Sequence, residues 1–127
     1  MAREVINTSE APAPIGPYSQ AIQSGATLYV SGQIALDAAS GELINDNITE
    51  ETHQVMKNLE AILSAAGADF SKVVKCSIFV KNMSDFATVN EAYGQYFKLQ
   101  PPARETVEVS GLPKNVNVEI SCIATLD

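Results

Sequence analysis

The chain has 127 residues, a hydrophobic fraction of 46% and a charged fraction of 18%. Its size fits one domain with a core of its own, and its apolar content is too high for a disordered chain. Eight Lys and Arg against fifteen Asp and Glu leave a net charge of −7, which argues against nucleic-acid backbones and anionic membrane surfaces as partners, since both are bound by clustered cations.

The charged fraction is lower than the roughly 25% of a typical domain, which suggests that part of the surface is hidden in a subunit interface. No apolar run approaches the roughly 20 residues of a spanning helix, and Met1-Ala2-Arg3-Glu4-Val5 lacks the apolar core of a signal peptide. A cytoplasmic protein is expected. The two cysteines, Cys76 and Cys122, lie in apolar runs and read as buried free thiols of a reducing compartment.

Residues 1–18 read as a Pro-rich lead-in without periodicity. β-prone runs follow at 19–23 and 27–36, then a turn-like segment from Asp37 to Gly41. The spacing predicts a helix over 48–66, where Thr52, Val55, Met56, Leu59, Ile62, Leu63 and Ala66 form one stripe. Asn47 with Glu50 supplies its N-cap pattern and Gly67 its stop. The sequons at Asn47 and Asn82 read better as helix caps than as glycosylation sites, and the one at Asn7 as chance.

Residues 72–81 read as a strand. A second helix is expected over 85–98, with Phe86, Val89, Tyr93, Tyr96 and Phe97 on one side, Asn82 or Ser84 as its cap and Pro101-Pro102 beyond its end. Strands are expected at 103–110 and 116–126, joined by the turn Gly111–Asn115. Two helices cover only one face of such a sheet. The predicted architecture is therefore α+β, a five- to six-stranded mixed sheet whose second face is covered by another subunit.

His53 is the only histidine, lies off the apolar stripe and reads as a solvated surface residue. No CxxC, HExxH, GxGxxG or P-loop pattern occurs, so nothing in the motifs points to a zinc site or a nucleotide fold. Arg104 and Glu119 draw attention instead. Strand alternation puts Arg104, Thr106 and Glu108 on one face, and Glu105, Val107 and Val109 on the other. Glu119 stands between Val118 and Ile120 in a run otherwise free of charge, and a half-buried carboxylate there needs a partner or a task. A structural ion pair between Arg104 and Glu119 is the plain alternative.

Four segments then resemble the RidA family of reactive-imine deaminases, in the family's order and over nearly the whole chain. They are Gly16-Pro17-Tyr18-Ser19-Gln20-Ala21, Val30-Ser31-Gly32-Gln33-Ile34, Asp85-Phe86-Ala87-Thr88-Val89-Asn90, and Pro102-Ala103-Arg104 through Leu112-Pro113-Lys114 to Val118-Glu119-Ile120. The resemblance implies a chorismate-mutase-like fold, a homotrimer with ligand clefts between subunits, and hydrolysis of 2-imino acids (2-iminopropanoate, 2-iminobutanoate) to 2-oxo acids and ammonia. Under it Arg104 is the substrate-carboxylate clamp and Glu119 the residue that handles the attacking water; Glu108, which shares the strand face of Arg104, is the reserve candidate for the acid–base role.

Tyr18, Ser31 and Asn90 match cleft positions of the family, and Phe86 its apolar wall. Glu105 departs from the small or apolar residue usual after the arginine, but alternation turns it away from the Arg104 face. Thr106 stands where many bacterial members carry Cys, which leaves its backbone N–H as the group offered to substrate. The electrophile is already activated, so no cofactor or metal is expected. The same arginine cleft would also serve a non-catalytic binder of small 2-oxo or amino acids. The RNA cleavage reported in the wider family finds no basic stripe here.

Overall fold

A computed structural model describes residues 3–127. Its strands are β1 (Arg3–Ile6), β2 (Ala21–Ser24), β3 (Thr27–Gln33), β4 (Val73–Val80), β5 (Ala103–Glu108) and β6 (Val118–Thr125), and its helices α1 (Ile48–Ala65) and α2 (Phe86–Gly94). One six-stranded sheet runs in the order β1-β2-β3-β6-β4-β5. Only β4 and β5 pair in parallel, across the connection that contains α2; the other neighbours are antiparallel. The mixed sheet and two helices agree with the expected α+β class.

The local signals explain the first helix. Asn47 Oδ1 accepts the Glu50 N–H at 2.9 Å and its Nδ2 donates to Glu50 Oε2 at 3.1 Å. At the far end Gly67 takes φ 77°, and the N–H groups of Gly67 and Ala68 return to the carbonyls of Ser64 and Leu63, which closes a Schellman motif. The stripe Val55, Met56, Leu59, Ile62 and Leu63 is fully buried against the sheet. It meets Leu28 and Val30 of β3, Cys76, Ile78 and Val80 of β4, and Val118, Ile120, Cys122 and Ala124 of β6. Cys76 and Cys122 are register partners, buried and free, and burial raises both thiol pKa values.

Several expectations need correction. The lead-in holds strand β1, which pairs with β2; Met1 and Ala2 lie outside the described residues. Four residues are too short for a period, so a partner strand rather than local pattern creates this edge. The strand expected at 27–36 ends at Gln33, and Leu36 makes only an isolated bridge to Leu43. Helix α2 stops at Gly94, not residue 98, because the next N–H groups tighten onto carbonyls three residues back. Neither Asn82 nor Ser84 caps it. The turn before it is capped from across the fold, where Met83 N–H donates to Glu108 Oε1 at 2.7 Å.

The largest correction concerns β5 and β6. They are not paired as a hairpin; β4 lies between them. His53 is half-buried, with Nδ1 at 2.8 Å from the Tyr96 hydroxyl, not solvated. Away from the helices, the cross-strand row Val5, Ile22, Tyr29 and Ile123 leaves apolar groups uncovered, with Tyr29 50% exposed. No described helix is long and apolar enough to cross a membrane.

Candidate functional site

The proposed site residues fall into two groups on opposite faces of the sheet. Arg104 pairs with Cys76, which pairs with Cys122, so its side chain lies on the helix-covered face. Glu119 pairs with Phe79, which pairs with Val107, one residue out of phase and therefore on the open face. The two are also separated by β4. Within one protomer they do not pair with each other, which removes the simple ion-pair reading.

On the helix face α2 holds Arg104 in place. Phe86, Asn90 and Tyr93 recur at steps of four and three along one side of that helix. Asn90 Oδ1 accepts a hydrogen bond from Arg104 Nη1 at 2.6 Å. The guanidinium carbon lies 5.1 Å from the Tyr93 ring centre and 5.7 Å from that of Phe86. One edge of the guanidinium is thus fixed and the remaining N–H groups are left for a ligand. Asn90 acts first on the arginine.

Two buried hydroxyls in this group, Tyr93 Oη and Thr106 Oγ1, have no hydrogen-bond partner among the described residues. Burial also raises the Tyr93 phenol pKa. Strand β5 is the last of the sheet. Val109 N–H donates to Val80 O at 2.9 Å, so by alternation the N–H groups of Arg104, Thr106 and Glu108 point to the free edge. Arg104 therefore lies beside the outward N–H of Thr106. Glu105 is on the other face, bonded to Lys75 at 3.0 Å and to Ser77 Oγ, as alternation required.

On the open face a cavity of about 290 Å³ is lined by Ile15, Tyr18, Ser31, Gly32, Pro113 and Glu119. Glu119 is half-buried, and desolvation raises its pKa above the usual carboxylate range. The only ion pair among the described residues is Lys75–Glu105, so no cation offsets the Glu119 charge. A register shift between Val30 and Gln33 marks a bulge at Ser31-Gly32. A Cβ built on Gly32 would lie 2.8 Å from the Glu119 carboxyl carbon and nearer still to Oε2. The bare glycine is the seat of the carboxylate.

Ser31 Oγ donates to Ser19 O at 2.6 Å, so its proton is already used and the oxygen remains only as an acceptor. Tyr18 Oη accepts the Ile15 N–H at 3.2 Å, which leaves the phenol proton for a ligand. Tyr93, Gly32 and Pro113 were not singled out from the sequence. Tyr93 had the helical spacing from Phe86 and Asn90 as its signal; the closeness of Gly32 to Glu119 had none.

One helix-covered face, an anchored guanidinium at one sheet edge and a half-buried carboxylate on the other side define a small α+β protein with two separate polar clusters. Residues 8–126 match the family described as Endoribonuclease L-PSP. The 2-iminobutanoate/2-iminopropanoate deaminase of Mus musculus is 51% identical over 96% of this chain and 90% of that protein. A Yersinia pestis structure of the Rid protein family superposes with TM-score 0.95 at 48% identity, covering 98% of this chain and 99% of that one. Escherichia coli TdcF with bound serine gives TM-score 0.92 at 36% identity, over 96% and 98% of the two chains. The chain belongs to the L-PSP family, also called the YjgF/RidA family.

Proposed function

We propose that this protein hydrolyses 2-imino acids, 2-iminopropanoate and 2-iminobutanoate among them, to 2-oxo acids and ammonia in clefts between the subunits of a homotrimer. The observation that carries the reading is the division of the site. Arg104, Phe86, Asn90 and Thr106 stand on one face, and Glu119, Tyr18 and Ser31 on the other. Each group lacks what the other supplies, and two copies apposed edge to face bring them together. The deaminases among the relatives support the reaction class.

In this scheme Arg104 receives the substrate carboxylate through the N–H groups not bonded to Asn90, with the outward Thr106 N–H beside it. Charge-assisted bonds of this kind contribute about 1.5–3 kcal/mol each. The clamp fixes the imine carbon over Glu119 of the neighbouring copy. Water adds through its oxygen to that carbon while Glu119 takes one of its protons and passes it to the imine nitrogen, which gives the neutral carbinolamine. Glu119 then takes the carbinolamine's hydroxyl proton and delivers it to the nitrogen as the C–N bond breaks, which leaves the 2-oxo acid, ammonia and the carboxylate as it began. Such a base contributes roughly 10²–10⁴-fold. Its raised pKa suits a group that takes and returns a proton. Glu108 is the poorer candidate because Met83 N–H already holds its carboxylate.

The test couples the protein to a serine or threonine dehydratase and follows 2-oxo acid formation where spontaneous hydrolysis is slow. Acceleration that Arg104→Ala abolishes supports the assignment; no acceleration overturns it. The bound serine of the TdcF neighbour favours a second reading, a binder of small amino or 2-oxo acids in the same cleft. Tight 2-oxobutanoate binding without turnover would select it. With a net charge of −7, neither reading includes RNA as a ligand.

A further inference from the structure

Cys76 and Cys122 are the only cysteines of the chain, and the proposed reaction uses neither. Both are buried, and they stand opposite each other on the neighbouring inner strands β4 and β6. Lys81 N–H donates to Asn117 O at 3.0 Å, one step beyond the Val80–Val118 pair, and no register shift intervenes between Cys76 and Val80. Opposed residues that exchange hydrogen bonds alternate along an antiparallel pair with those that do not, so Lys81 belongs to the first kind and Cys76 to the second. In such a non-hydrogen-bonded pair the Cα atoms lie about 4.5 Å apart with their side chains at closest approach, within the roughly 4.4–6.8 Å that a disulfide spans.

The two sulfurs are not equivalent. The cross-strand row continues from Cys76 to Arg104 on β5 and from Cys122 to Val30 on β3. A cationic residue thus flanks Cys76 and an apolar one flanks Cys122. Burial raises both thiol pKa values, and the Arg104 charge opposes that rise at Cys76 alone. Cys76 is therefore the better nucleophile, and Cys122 is placed to resolve what forms on it.

We propose that Cys76 and Cys122 form a dithiol site that a peroxide closes to a cross-strand disulfide, which locks β4 to β6 in the register they already hold. The Cys76 thiolate attacks one peroxide oxygen. The S–O bond forms, the O–O bond breaks, and the leaving hydroxide takes up the thiol's proton as water. The Cys122 sulfur then attacks the Cys76 sulfenic acid. The S–S bond forms, the S–O bond breaks, and the hydroxyl leaves as water with the Cys122 proton. The two thiols lose two electrons and one peroxide gains them. The bond closes a loop that contains α2 and β5, so it stabilises mainly by restricting the unfolded chain. It ties the strand that carries Glu119 to the strand beside Arg104, and it stands apart from any reading of the reaction.

The test treats the native assembly with hydrogen peroxide, removes the excess with catalase, then unfolds the protein and adds iodoacetamide. The expected product resists alkylation at both cysteines, gives a crosslinked Cys76–Cys122 peptide by mass spectrometry and recovers both thiols with dithiothreitol. Its Tm is expected to lie roughly 5–10 °C above that of the reduced protein. Cys122→Ala should stop at a Cys76 sulfenic acid that dimedone traps. Cys76→Ala should lose its remaining thiol at least about tenfold more slowly than Cys122→Ala does.

Two cysteines that both remain open to alkylation overturn the site. A disulfide between chains, a sulfinic or sulfonic acid in place of the crosslink, or a crosslink that forms only in urea does the same. A crosslink that leaves Tm unchanged or lower overturns the lock. Equal rates in the two variants overturn Cys76 as the first nucleophile.

Discussion

Glu119 is half-buried, desolvation raises its pKa, and its carboxylate lies where a side chain on Gly32 would stand. Gly32 has no positive φ, so alanine is allowed by its backbone, but the added methyl would occupy the place of the Glu119 carboxylate. Gly32→Ala is expected to keep the fold and lower kcat by about 10²-fold, the low end of what a displaced base costs, with a much smaller change in KM. A circular-dichroism melt beside steady-state kinetics checks both halves. A kcat within a few-fold of the parent would show that the glycine does not seat the base.

The raised pKa of Glu119 gives the pH dependence a definite sign. Desolvation favours the protonated form in the folded state, so this group's contribution to stability is fully present below the unfolded pKa of about 4.3 and is lost as pH rises through the raised folded value. Glu119→Gln removes a charge that is costly above that value. Its Tm is expected to exceed the parent's at pH 8 and to match it at pH 4, while activity is lost. The parent's activity in turn should fall on acidification at a pH above the ordinary glutamate midpoint. Equal Tm differences at both pH values would argue against a desolvated carboxylate.

Among the elements, the joint between α1 and β6 rests on Glu51, which is fully buried and makes no ion pair among the described residues. Its carboxylate accepts the Asn117 and Val118 N–H groups at 2.8 and 3.2 Å and the Asn117 side-chain amide at 2.8 Å. This anchors β6 one residue before Glu119. Glu51→Ala strands three donors and opens a cavity. It is expected to destabilise the protein by about 2–4 kcal/mol, read as a lower urea midpoint with unchanged slope. A loss under about 0.5 kcal/mol would mean that water takes over those donors.

Glu51 also shows where reading the sequence ends. Helix α1 was legible because its cap, stripe and glycine stop all lie within 21 residues of chain, from Asn47 to Gly67. The face assignments of Arg104, Thr106 and Glu105 were legible from alternation alone. The adjacency of β5 and β6 was misjudged because a β-strand's neighbour is set by long-range pairing, and β4 fits between them. Long-range caps such as Glu108 on Met83 leave no local trace either. The candidate site residues were recognisable through their motifs. Their division between two faces was not, since it depends on the relative phase of β5, β4 and β6.

That division makes a demand on the whole molecule. The uncovered row Val5, Ile22, Tyr29 and Ile123 offers apolar area for a second copy, and the low charged fraction fits a surface partly hidden in use. A head-to-tail contact that places one copy's Arg104 edge against the next copy's Glu119 face is heterologous, and such contacts form a ring where the rotation closes. The consequence is measurable by complementation. Under the proposed arrangement the Arg104→Ala and Glu119→Gln proteins are each expected to be inactive, because every cleft in either assembly would lack one group. After unfolding together and refolding at equal amounts, a cleft regains activity when its arginine comes from a Glu119→Gln copy and its glutamate from an Arg104→Ala copy. Random assembly makes that about one cleft in four, so roughly a quarter of parental activity should return. A site completed within one protomer returns none, because each copy still carries its own defect.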